Sequence, residues 1–173
     1  FTAKEHLALA EKLISEPPKE RFDRVVVDSK VESREDHLEE LRTLIKKVRA
    51  LDEQVDHHYA EWQSAASPAR KNKLGNAFHK LDRRLQETFS KFAFKQKTLE
   101  EMIVVADNIH DRVQHSARRL RELDHLNGMA DHHQLQAERH NLKALEDLVR
   151  MPAYEYAKAY ADLKRYAVQA HQA

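Results

Sequence analysis

The chain has 173 residues, 34% charged and 41% hydrophobic, with two Gly, four Pro and a formal net charge of +1. That length can bury a core, and so few turn residues exclude the strand-rich folds that need Gly and Pro at their corners. Zero Cys excludes disulfides, thiolate metal sites and a Cys nucleophile, and no run nears the roughly 20 apolar residues of a membrane span.

Thr2-Ala-Lys-Glu5 has the pattern of a capping box, so a first helix is expected to about Ser15, with Leu7, Ala10, Leu13 and Ile14 on one face. Pro17-Pro18 stops it, and Pro18 is expected to open the next helix, which buries Phe22, Val25 and Val26. From about Ser33, Leu38, Leu41, Ile45, Val48, Val55, Tyr59 and Trp62 follow three-and-four spacing, interrupted at Asp52. This predicts one long amphipathic helix to about Ala65. Ser67-Pro68 reads as an N-cap and first helical residue, starting a helix whose inner face is Leu74, Phe78, Leu81, Leu85 and Phe89. A turn is expected near Phe92 to Lys97, then a second capping box, Thr98 to Glu101, opening a helix that Asn127-Gly128 caps. Leu135, Leu142, Leu145 and Val149 mark the next helix, Met151-Pro152 a break, and Tyr156, Tyr160, Leu163 and Ala167 the last. The fold class expected is all-α, with long antiparallel helices forming a helical bundle.

Twelve histidines raise a metal question, but adjacent ones on a helix point about 100° apart, so His57-His58 and His132-His133 each offer at most one inward ligand. A di-iron bundle needs two Glu-x-x-His motifs. Glu122-x-x-His125 is a single match, beside the looser Asp107-x-x-His110. No hydrolase or phosphate-loop motif occurs, so neither a metal, a cofactor, a small-molecule substrate nor a catalytic role is expected.

Charge is uneven: residues 67 to 97 hold 9 Lys and Arg against 2 Asp and Glu, while residues 1 to 66 hold 11 against 15. Arg70, Lys71, Lys73, Lys80, Arg83 and Arg84 are the candidate contacts of this basic block, to nucleic acid or to an acidic protein surface, the alternative being a solvated face. The interleaved Phe78, Phe89, Phe92 and Phe94 could stack bases, although Phe78 and Phe89 also lie on the apolar stripe.

Three stretches resemble one family. FTAKEHLALAEKL, residues 1 to 13, resembles the end of region 1.2 of bacterial housekeeping sigma factors of the sigma-70 family, with Thr2, Leu9, Ala10 and Leu13 matching and Phe1 where Leu is usual. KFAFKQKTLEEMIVVADNIHDRVQ, residues 91 to 114, resembles the family's non-conserved spacer, in which a Lys-Gln motif leads into a helix ending near Asp-Arg-Val. RMPAYEYAKAYADLKRYAVQAHQA, residues 150 to 173, resembles the approach to region 2.1. The uncapped final helix then reads as continuing into that region.

The resemblance implies a sigma region 2-like helical domain, with residues 1–32 ending region 1.2, residues 33–150 the non-conserved spacer and residues 151–173 the lead-in to region 2.1, all in one structural domain. It implies a transcription initiation factor in the bacterial cytoplasm, associated with the nucleoid during initiation. The implied partners are core RNA polymerase, through the β′ clamp, and promoter DNA through the full-length protein, with no membrane role. It also implies that Leu9 and Leu13 of the first helix face Leu163 and Ala167 of the last. The family's acidic spacer insert is missing here, and a basic hairpin stands in its place. A coiled-coil adaptor without a nucleic-acid role is the alternative reading.

Overall fold

The computed structural model describes residues 1–125 and 131–172, so the Asn127-Gly128 cap lies outside the described residues. The chain is all-α, and among the described residues its seven α-helices are joined by short 3-10 turns and one isolated bridge. It divides into two compact units, Phe1–Leu99 and Glu100–Ala173. The borders expected after residues 32 and 150 fall inside the first and second unit respectively.

The first unit holds α1 (Thr2–Ile14), the single turn α2 (Phe22–Val25), α3 (Arg34–Ser64), α4 (Pro68–Gln86) and the start of α5 (Gln96–His125). α1 lies antiparallel along α3, because its ion pairs run in opposite order along the two helices. Lys4 meets Asp52 at 3.3 Å, Glu11 meets Arg49, and Glu16 reaches Arg42 at 4.0 Å. Leu7, Ala10 and Leu13 are buried between these pairs. Within this unit α1 packs on α3 and on the turn Phe89–Phe92. Asp52, the interruption in the α3 stripe, is 6% exposed and answered by Lys4 across the interface.

α3 and α4 form the long hairpin. Leu41, Val48 and Val55 are fully buried on α3, and Phe78 and Leu85 face them from α4. Each such side chain contributes about 1.5–3 kcal/mol before entropy is counted. At the tip, Tyr59 and Trp62 lie 5.4 and 5.3 Å from the Phe78 ring. Gly75 is where the indole comes closest: a Cβ there would sit 3.0 Å from Trp62 Cε2. At the other end, His37 Nε2 donates to the Phe92 carbonyl at 3.2 Å, and the Glu40 carboxylate lies 3.1 Å from its Nδ1. That contact, with Lys30 beside it, holds Glu40 below the usual carboxylate range.

Three local expectations change. Phe1, not Thr2, caps α1 without a side-chain hydrogen bond, so the first capping box does not form. Pro18 opens no helix: the chain bends at Lys19 and Glu20, where the Lys19 N–H donates back to the Lys12 carbonyl at 2.9 Å, and turns helical only in the single turn at Phe22–Val25. Thr98 lies inside α5, and its hydroxyl donates to the Val25 carbonyl at 3.4 Å instead of capping. That bond belongs to a lock between two loops, in which Val27 N–H donates to Ala93 at 2.9 Å and Lys95 N–H to Val25 at 2.8 Å. Phe22, Val25 and Val26 are buried beneath it, as expected.

In the second unit, α6 (His132–Val149) and α7 (Ala153–Gln172) both pack on α5, and the pairs made by α7 run in opposite order along the two helices, so α7 is antiparallel to α5. Ser116 and Asp124 of α5 meet Glu138 and Arg139 of α6, and Ala106 and Glu100 meet Tyr156 and His171 of α7. The break between them is built from Arg150 in the left-handed conformation (φ 55°) and from Pro152. Glu146 then accepts from the Ala153 N–H at 2.8 Å, tying the start of α7 to the end of α6.

Candidate nucleic-acid interface

Ser67 caps α4 as its sequence implies, with its hydroxyl accepting from the Arg70 N–H at 3.3 Å and Pro68 filling the first turn. The helix buries Gly75, Phe78 and Leu85. At 3.6 residues per turn, Arg70, Lys73, Ala77, Lys80 and Arg84 share one line on the side turned away from those residues. Arg83 and Asn76 flank that line, and Lys71 stands off it in the first turn. All six candidate cations are exposed. Among the described residues none has a carboxylate within 4.0 Å, whereas Lys95 of the same basic block is held by Asp28 at 2.6 Å.

Folding does not account for this charge. Arg83 and Arg84 sit in the last turn of α4, where the helix dipole favours cations, but the first turn carries no acid and holds Arg70 and Lys71, with Lys73 just beyond. Cations near a helix N-terminus are unfavourable by about 0.3–1 kcal/mol each. A surface groove of about 820 Å³ beside α3 offers a contrast. Its lining mixes Lys30, Lys47 and Lys91 with Asp36 and Glu40, so no single sign of charge converges there.

The phenylalanines interleaved with the basic block do not form a stacking surface. Phe78 is 3% exposed, Phe92 fully buried and Phe94 7% exposed, while Phe89 stacks on His6 at 4.7 Å. Phe78, Phe92 and Phe94 are core and cannot stack on bases, and Phe89, half-buried, has one ring face covered by His6. The grouping of cations into a stripe was available from three-and-four spacing; a count of charges along residues 67 to 97 did not reveal it.

His79 lies on α4 itself, 5.2 Å from the Trp62 ring, while His6 and His110 fall elsewhere. His6 is 3% exposed among Phe89, Phe92 and Phe94, and donates from Nδ1 to the Thr2 carbonyl at 2.9 Å. Asp107 and His110 both turn to α7: Asp107 accepts from the Tyr160 hydroxyl at 2.7 Å and from Lys164 at 3.0 Å, and His110 stacks on the Tyr160 ring at 4.0 Å. The Tyr160 hydrogen bond, with Lys164 beside it, holds Asp107 below the usual carboxylate range. Tyr156 donates to the Ala106 carbonyl at 2.8 Å, and its burial pushes the phenol up to about 12. This is a clasp between helices. Among the described residues no three His, Asp or Glu side chains gather as a metal site, and no helix is long and apolar enough to cross a membrane.

No protein-family model, curated protein or solved structure matches the chain.

Proposed function

We propose that this chain is a helical scaffold and contact module of a sigma-70-type transcription initiation factor, working beside the clamp of core RNA polymerase in the bacterial cytoplasm. One observation carries the reading: the three stretches that resemble the family, at residues 1 to 13, 91 to 114 and 150 to 173, stand in the family's order along the chain. Support comes from α4, whose unpaired cations Arg70, Lys71, Lys73, Lys80, Arg83 and Arg84 are held on a packed hairpin and are available to an anionic partner. The module is not a catalyst, and promoter opening and reading are assigned to other segments of such a factor.

The test is binding of the purified, labelled 173-residue chain to core polymerase, with an unlabelled housekeeping sigma factor as competitor. Saturable binding that the competitor displaces is expected, without promoter-specific run-off transcription. Absence of binding to core would overturn the reading in favour of an adaptor helix protein. Specific initiation by the chain alone would overturn the assignment of promoter reading to other segments.

A further inference from the structure

We infer that the outward stripe of α4, Arg70, Lys73, Lys80 and Arg84, is a seat for the phosphate backbone of duplex DNA and binds it without regard to sequence. The inference deepens the contact-module reading and rests on it for biological context, but it is argued from the stripe and can be tested without polymerase.

The geometry points to phosphate. From Arg70 to Arg84 the stripe runs about 21 Å at 1.5 Å per residue, enough to follow several phosphates of one strand. Its four cations are exposed, and none has a carboxylate within 4.0 Å among the described residues. Nothing has to be displaced before they meet an anion. The cations lie on a helix fixed by the Ser67 cap and by Phe78 and Leu85 beneath it, so their spacing is set before any partner arrives.

An acidic protein surface fits less well. Protein interfaces place aromatic or large apolar anchors at their centre, with charge at the rim, and here the central residue of the stripe is Ala77, flanked by Asn76. Backbone contacts to DNA need only cations and small polar groups. Single strands fit less well too, because their binders present aromatic rings to unstacked bases. Phe78 of α4 and Phe92 of the turn after it are buried, and Phe89 is half-buried with one face on His6. Ion pairs to phosphate carry no sequence information, so no sequence preference is assigned.

The experiment is fluorescence anisotropy of the 173-residue chain with a labelled mixed-sequence duplex, titrated between about 50 and about 200 mM salt. Four phosphate contacts predict a slope of about −3.6 in log K against log salt, or about a 150-fold loss of affinity over that range. Lys73→Gln with Lys80→Gln should halve the slope, leaving about a 12-fold loss over the same range. Circular dichroism of that variant should match the parent, since both side chains are exposed; Lys73→Arg with Lys80→Arg, which keeps the charge, should restore the slope. Absence of salt-dependent duplex binding by the parent chain overturns the inference. So does polyglutamate binding as tightly as duplex at equal charge, which would make the stripe an acidic-protein site, or single-stranded DNA binding more tightly than duplex. A chain that binds duplex but not core polymerase leaves this inference standing and removes the sigma reading; the reverse result removes the stripe alone.

Discussion

His6 shows how much one buried side chain can set. Its ring is packed against Phe89 and Phe94, and burial lowers its pKa from the ordinary 6.5 more than the Thr2 carbonyl and Glu5 raise it. The sign of the consequence follows from proton counting. Between the lowered folded value and 6.5 the unfolded chain binds the extra proton and the folded chain does not, so stability is full above about 6.5 and falls as pH drops through that window. Urea unfolding at about pH 8 and about pH 5 should therefore show a loss on acidification that His6→Phe reduces. An equal loss in the variant would remove His6 as its source. Nothing near His6 in sequence reveals this environment, because the rings that bury it come from residues 89 to 94, at the far end of the α3–α4 hairpin. Gly75 is illegible for the same reason: the Trp62 ring that crowds it comes from another helix.

Helix α4 sets two demands against each other. Its inner face and Ser67 cap stabilise it, while Arg70, Lys71 and Lys73 load its positive end. Arg70→Glu and Lys71→Glu should each raise the stability of the chain by about 0.3–1 kcal/mol in urea unfolding, and Arg70→Glu, which lies on the stripe, should also weaken duplex binding. Loss of stability in both variants would show that these cations are held by folding and need no anionic partner. Elements as a class were readable where the repeat is long. α3, α4 and the break before α7 follow from long three-and-four spacing, from Ser67-Pro68 and from Pro152. The helix starts at Thr2 and Thr98 were misread because a capping box specifies side chains, whereas the cap depends on where the backbone leaves the helix. At Thr98 the helix had already begun at Gln96, and the hydroxyl turned to Val25. The path after Pro18 was equally hidden, since the lock between residues 25 to 28 and 93 to 98 is a long-range pairing with no local signature.

At the scale of the whole molecule, the formal net charge of +1 and a pI near 8.1 give no reason to expect polyanion binding. Local concentration supplies it. Exposed charges separated by more than about 8–10 Å are largely screened at physiological salt, so the cations that matter to a bound phosphate are those within a few ångströms of it. This separates a patch from a bulk effect in a way that can be measured. Arg70, Lys73, Lys80 and Arg84 changed together to Gln take the formal net charge from +1 to −3; Lys19, Lys46, Lys47 and Lys158 changed together to Gln take it to the same value. The second set is spread over both units and exposed, with no carboxylate within 4.0 Å among the described residues. The stripe variant should lose most of the salt dependence of duplex binding, while the spread variant should keep a slope within about one unit of the parent's −3.6. Equal losses in the two variants would mean that the chain attracts DNA through its average charge, and that the alignment of cations on α4 has no bearing on binding.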